Sequence, residues 1–393
     1  MKAGWERTTL GAAFTTATGT TPPKSNADYY GQYMPLVKPP ELCDAPLDSA
    51  EDGLTEAGAA VARTLPPNSI LVSCIGNLGK VGLNTVPVAF NQQINAILPN
   101  ESKATPEFLF YQVLSCTFKE QLEAMASGTT VSIVNKSKFN SIEIVLPPLP
   151  EQQRIVAILD EAFEGIATAK ANAEKNLHNA RTLFDGHLQS VFTKRGVGWV
   201  DRTLDQVCIV ERGSSPRPIK NFFTTALDGV NWIKIGDTEE GGKYVYSTAQ
   251  KITPEGAKQS RYVKEGDFIL TNSMSLGRPY IMKTDGYIHD GWFVLRLGEG
   301  IDSEFFYYLL SSSYVQGQFH SLAAGAVVKN ISGDLVKKAI LPIPPVAHQH
   351  EIVEKLLEVS AETQRLASLY QQKLAALDAL KKSLLDQAFR GEL

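Results

Sequence analysis

The spacing of apolar residues along the chain changes twice, and in the same order both times. Short apolar runs such as "SILVSCI", "INAIL", "DFILT" and "WFVLRL" are broken by Gly, Pro and Asn, and they predict strands. Within each set lies one helical stretch, "TPEFLFYQVLSC" or "DSEFFYYLLSSS". A Pro-rich run follows, "LPPLPEQQ" or "PIPPVAHQH", and beyond it the period lengthens. In the first copy Ile155, Leu159, Ala162, Ile166, Ala169, Ala173, Leu177, Ala180 and Phe184 advance in steps of four and three. In the second, Ile352, Leu356, Val359, Thr363, Leu366 and Tyr370 do the same, continuing through Leu377, Leu380 and Leu384. Such a narrow stripe predicts two long helices packed along a coiled-coil seam. With a globular region between them, short connections favour an antiparallel pair.

The two copies also match motif by motif. "GWERTTLGAAFTTATGTTP" from Gly4 parallels "GWVDRTLDQVCIVERGSSP" from Gly198, and "NSILVSCIGNLGKVGL" from Asn68 parallels "GDFILTNSMSLGRPYI" from Gly266. "PEFLFYQVL" answers "SEFFYYLLS", "ASGTTV" answers "AAGAVV", and Gln152 answers Gln349, with the offset held at 194–198 residues. A repeat of this length is a tandem duplication. The predicted fold is therefore α+β: a mixed α/β domain followed by a long helix, given twice, with the two helices forming an antiparallel coiled-coil spacer. The expected segments are 1–150, a helix over 151–196, 197–346, and a helix over 347–393.

Composition narrows the class. A chain of 393 residues is long enough for several cores. Cys43, Cys74, Cys116 and Cys208 stand alone, which favours a reducing, cytoplasmic setting over a disulfide framework or zinc site. No stretch approaches a membrane span. The net charge is −4; Lys and Arg number 10 against 13 acids in 1–150, and 16 against 16 in 197–345. Neither region is basic in bulk, so the usual electrostatic mark of a stand-alone nucleic-acid binder is missing. "GNLGKV" has the wrong glycine spacing for a phosphate loop and lacks Ser or Thr after Lys80. His348 and His350 lie two apart without further ligands nearby, and read as a helix start rather than a metal site. No catalytic constellation appears.

"GTTPPKSNADYYGQYMPLVKPPEL", "VSCIGNLGKVGLNTVPVAFNQQINAILP" and "LPPLPEQQRIVAILDEAF", with their order and duplication, resemble the specificity (S) subunit of type I restriction–modification systems. The resemblance covers essentially the whole chain. It implies two target-recognition domains that bind double-stranded DNA, each followed by a spacer helix, in a chain that is not itself an enzyme. It further implies two modification (methyltransferase) subunits as partners and, in the restricting form, two restriction subunits. S-adenosylmethionine and ATP would be bound by those partners. The second copy departs from the pattern at "SSPRPIKNF" and "NSMSLGRP", which implies that the two domains read different sequences.

Base reading needs side chains on loops held by a rigid scaffold. The candidate DNA-binding residues are Thr20, Thr21 and Lys24, Asn77 and Lys80, and Gln92 and Gln93 in the first copy. In the second they are Ser214, Ser215, Arg217 and Lys220, Ser275 and Arg278, and Lys329 with Asn330. Gln92 or Gln93 suits adenine, and Arg217 or Arg278 suits guanine. Two other readings stay open: a specificity chain whose partner fuses methylation and cleavage, and a duplicated protein–protein scaffold with no DNA role.

Overall fold

The computed structural model describes residues 4–128, 130–239, 241–272, 276–323 and 331–393. Ser275, Lys329 and Asn330 lie outside them. The chain forms two compact units, Met1–Glu174 with Gln371–Leu393, and Lys175–Tyr370. The two long helices span Leu149–Thr193 and Val346–Arg390. Each gives its first part to one unit and its last part to the other.

In the first unit, strand Glu6–Thr9 pairs antiparallel with Glu143–Leu146, just before the long helix. A five-stranded sheet runs in the order Thr16–Thr18, Ile94–Ile97, Ile70–Ser73, Val81–Asn84, Ala45–Leu47. A four-stranded sheet runs Gly53–Leu54, Tyr30–Val37, Val88–Phe90, Thr64–Leu65. The central strands Ile70–Ser73, Val81–Asn84 and Ile94–Ile97 are buried throughout, which is why Ile70–Ser73 reads as an apolar run and not as an alternation.

The second unit repeats this plan. Val200–Thr203 pairs with Ile340–Ile343. Its first sheet runs Cys208–Arg212, Trp292–Leu297, Phe268–Thr271, Pro279–Met282, Tyr244–Val245. Its second sheet has five strands, the edge being Phe223–Thr224 beside Gln250–Ile252.

One buried side chain organises the start of each long helix. Gln152 is fully buried. Its Oε1 accepts from the Thr105 backbone N–H at 3.0 Å, and its Nε2 donates to the Lys103 and Pro147 carbonyls at 2.9 and 2.8 Å. Gln349 does the same in the second unit, accepting from Asp302 N–H at 2.8 Å and donating to Gly300 and Pro344 at 3.1 and 3.0 Å. Thr105 and Asp302 are the N-caps of the helices Pro106–Leu114 and Ser303–Ser311. In a capping box the N-cap N–H is accepted by a Glu or Gln at the third helical position. Here that position holds Phe108 or Phe305, both fully buried, and the acceptor comes from the long helix instead.

The expected seam is buried or half-buried along the first helix, from Ile155 and Leu159 to Ala180 and Phe184. Within the first unit the pair is antiparallel: Arg154 Nη2 donates to the Leu393 carbonyl at 2.7 Å, the Lys381 ammonium lies 5.0 Å from the Phe163 ring centroid, and Lys170 pairs with Asp378 at 2.7 Å. Leu380 departs from the expected seam. It is exposed, because the step after Leu377 is four residues, to Lys381, whose ammonium takes the face of Phe163. The helix then reaches Leu384, Leu385, Ala388 and Phe389, which join the first unit's core beside Ile155 and Leu159. Leu188 and Phe192 join the second unit's core with Leu356 in the same way. Phe389 meets Phe108 edge-on at 5.3 Å, as Phe192 meets Phe305 at 5.7 Å.

Replacing Gln152 or Gln349 by Met keeps the volume but leaves buried backbone groups unpaired. Each variant is expected to lose about 3 kcal/mol, at 1–3 kcal/mol per stranded group with partial rescue by water. Urea unfolding should show the loss as a lower midpoint. Gln153→Ala, at an exposed neighbour, should leave the midpoint in place.

Candidate nucleic-acid interface

In the first unit, two candidate loops close on each other. A Cβ on Gly19 would lie 2.1 Å from the Asn91 carbonyl oxygen and 2.4 Å from that of Phe90, so only glycine allows this approach. Gly19 N–H donates to the Ile94 carbonyl at 3.2 Å, and Ile94 N–H closes its turn on the Asn91 carbonyl at 3.2 Å. Above this contact the Thr21 hydroxyl donates to Gln92 Oε1 at 2.9 Å. Thr20 Oγ1 accepts from Arg63 N–H at 2.8 Å, and the Arg63 guanidinium returns to the Thr18 carbonyl. Gln92 and Lys24 are exposed; Gln93 is half-buried, its amide oxygen accepting from Asn91 Nδ2 at 3.0 Å.

The second unit builds the same joint from other side chains. A Cβ on Gly213 would lie 2.0 Å from the His289 carbonyl oxygen. Gly213 N–H donates to the Trp292 carbonyl at 2.8 Å, and Trp292 N–H closes its turn on His289 at 3.2 Å. The Ser215 hydroxyl donates to Asp290 Oδ1 at 2.6 Å, where the first unit has Thr21 and Gln92. Ser214 donates to the Gln259 carbonyl at 2.9 Å. Arg217 Nη2 stands 3.6 Å from Asp290 Oδ2. Ser215, whose hydroxyl bonds the carboxylate, holds the Asp290 pKa below its ordinary range. Lys220 is exposed.

The first residue of each turn also keeps its task with a changed side chain. Asn91 Oδ1 accepts the Gln93 backbone N–H at 3.1 Å, and His289 Nδ1 accepts that of Gly291 at 2.8 Å. The half-buried His289 ring stands 6.3 Å from Trp232 and 6.2 Å from Trp292. Burial pushes its pKa below the ordinary imidazole value; Lys234 adds to this, while Asp290 and Asp237 oppose it.

Asn77, Lys80 and Arg278 occupy a different feature, the turn of a hairpin. Lys80 N–H donates to Ser73 Oγ at 2.9 Å, and Arg278 N–H to Thr271 Oγ1 at 2.9 Å. Asn77 is exposed, its carbonyl accepting from Ser73 Oγ at 2.6 Å. Arg278 shares a groove with Tyr307, Gln316 and His320. His350 lies at a helix start, 3.6 Å from the N-cap carboxylate of Asp302.

Reading the sequence alone missed three residues of the joint: Arg63, His289 and Asp290. The repeat offset of 198 residues does place His289 and Asp290 on Asn91 and Gln92, so the signal for those two was present.

A family model described as the type I restriction modification DNA specificity domain matches residues 2–177 and again 196–372. The chain belongs to this family. It is a type I specificity subunit with two recognition domains in tandem. The HindI specificity subunit of Haemophilus influenzae is 32% identical over 168 residues, which cover 41% of this chain and 36% of that one. The StySPI specificity subunit of Salmonella potsdam is 22% identical over an alignment covering 99% of this chain and 89% of its own. Two solved chains share the fold at 20% identity. One, from a study of assembly and conformational transition in a type I system, has a TM-score of 0.79 and is covered over 99% of its length. The other, the HsdS subunit of Thermoanaerobacter tengcongensis, has a TM-score of 0.68 and is covered over 98%. Among the described residues, no helix of this specificity subunit is long and apolar enough to cross a membrane.

The lowered His289 pKa sets a pH dependence. An imidazole that titrates lower when folded contributes stability above its unfolded value, near 6.5, and that contribution is lost as pH falls. Thermal unfolding of the second domain should therefore weaken between pH 7.5 and about 5.5. His289→Asn can accept the same N–H, as Asn91 does, and should flatten that part of the profile.

Proposed function

We propose that each recognition domain reads one half of an asymmetric, bipartite duplex target through its paired turns. The observation that carries this is the joint itself. Both copies keep the close glycine approach and the hydroxyl-to-turn bond, while the side chain shown to solvent changes from Gln92 to Asp290. A conserved backbone frame with exchanged exposed groups is what two related readers of different base sequences need. Thr20, Thr21, Gln92 and Gln93 in the first domain, and Ser214, Ser215 and Arg217 in the second, belong to these joints. Lys24 and Lys220 supply phosphate contacts beside them. Asn77, Lys80 and Arg278 sit on the hairpins and hold the flanking backbone. Ser275, Lys329 and Asn330 complete the candidate set.

On this reading the chain recognises and its partners catalyse. Two methyltransferase subunits, and in the restricting form two restriction subunits, bind S-adenosylmethionine and ATP. The internal duplication supports this, because a pseudo-symmetric chain suits a pair of identical partners. The charge balance supports shared phosphate binding, since neither domain is basic.

Exchanging residues 1–150 for the matching segment of another specificity subunit should change one half of the methylated sequence and leave the other. Sequencing of methylated sites reads this directly, and a change in both halves would contradict the proposal. The second test is affinity. The isolated chain should bind duplex DNA weakly; with methyltransferase subunits its salt slope should steepen by about 0.9 per added phosphate contact. Full affinity and specificity from the chain alone would refute shared contacts. No DNA binding by the assembled complex would favour a protein scaffold.

A further inference from the structure

The second domain carries a carboxylate where the first carries an amide, on a surface proposed to meet a polyanion. An exposed acid there weakens phosphate attraction, so its presence calls for a specific task. Asp290 is braced for one. Ser215 Oγ donates to its Oδ1 at 2.6 Å, Asn272 Nδ2 donates to its backbone carbonyl at 2.6 Å, and its side chain remains 47% exposed. Arg217 stands beside it, 3.6 Å from Oδ2 and 82% exposed. An exposed pair of this kind adds little to stability, which leaves the surface chemistry as its use.

We propose that Asp290 and Arg217 read one C·G base pair together, the carboxylate accepting from the cytosine 4-amino group and the guanidinium donating to guanine O6 and N7. This rests on the proposed DNA-reading role of the second domain and deepens it. An ionised carboxylate only accepts. Guanine and thymine present acceptors in the major groove and would repel it, and adenine sets its N7 acceptor beside its amino group. Cytosine alone offers a donor without a neighbouring acceptor on the same base. In the C·G pair the 4-amino group is hydrogen-bonded to guanine O6, so donor and acceptor lie about 3 Å apart. The protein presents an acceptor and a donor at 3.6 Å, matched in order. Arg217 also offsets the acid's repulsion of nearby phosphates. The first domain cannot make this contact. Its counterparts are Gln92 and, at the Arg217 position, Pro23.

The test uses the full chain assembled with its methyltransferase partner, acting on a duplex library randomised through the second half-site. Asp290→Asn keeps the Ser215 bond and offers the donor–acceptor edge that suits adenine. It should lower methylation of the original target by about 10- to 100-fold, the worth of one good base contact, and admit A·T at a single position. Arg217→Gln, at a side chain too exposed to hold the fold, should relax that same position and no other. Relaxation at one shared position supports the inference. An unchanged profile in both variants, or relaxation at two different positions, overturns it while leaving the domain a DNA reader. If the unmodified complex shows no preference anywhere in the second half-site, the DNA-reading role itself fails.

Discussion

Each long helix starts where a buried glutamine can satisfy three backbone groups at once. Gln152 reaches the end of the preceding strand at Pro147, the loop at Lys103 and the N-cap at Thr105, with Gln349 repeating each contact. Proline has no N–H to offer, so the Pro-rich approach leaves carbonyls in need of donors, and the glutamine amide supplies them. Its oxygen meanwhile takes the N-cap N–H that the short helix cannot satisfy, because its third position is given to the core as Phe108 or Phe305. Strand, short helix and long helix thereby share one polar atom group. The aromatic contacts follow from it: Phe108 is held where Phe389 can meet it, and Phe305 where Phe192 can.

The same logic of fixed backbone and free side chains governs the turns. The carbonyls that Gly19 and Gly213 approach leave no room for a Cβ, so the main chain at each joint has one arrangement. Side chains above it can then change without disturbing the fold. Thr21 with Gln92 and Ser215 with Asp290 are two answers to one geometric demand, a hydroxyl donor to a planar acceptor. Recognition can diverge between two copies, while the strands beneath keep their register.

Much of this is legible in the sequence. The duplication, the helical seam and the strand-rich halves all follow from periodicity and offset, which are properties of a single line of residues. The glutamine stands out as a residue repeated at the same point of both polar hinges, though its partners some fifty residues upstream do not. Periodicity admits Leu380 because a step of three and a step of four both fit a seam, and only packing against Phe163 chooses Lys381. Asp290 is hidden in the sequence for a different reason. His-Asp-Gly reads as ordinary turn chemistry, and its meaning comes from Ser215 and Arg217, more than seventy residues away.

Bulk charge was the least legible quantity, because counting ignores where cations are already committed. Around the second domain's joint, Glu211 takes Arg261 at 3.0 Å and also Arg296, whose Nε reaches Asp267 at 3.2 Å. Arg217 has Asp290 for a neighbour. Among the described residues no ion pair engages Lys24 or Lys220, both exposed beside the joints. A surface with half of its arginines paired attracts phosphate more weakly at any sequence, and non-specific affinity is almost wholly electrostatic. Discrimination depends on the ratio of specific to non-specific binding, weighed against an excess of wrong sites. Lowering the denominator by internal pairing raises that ratio as surely as adding base contacts does. The near-neutral charge of these domains is therefore consistent with reading DNA, provided that partners contribute the attraction the chain withholds.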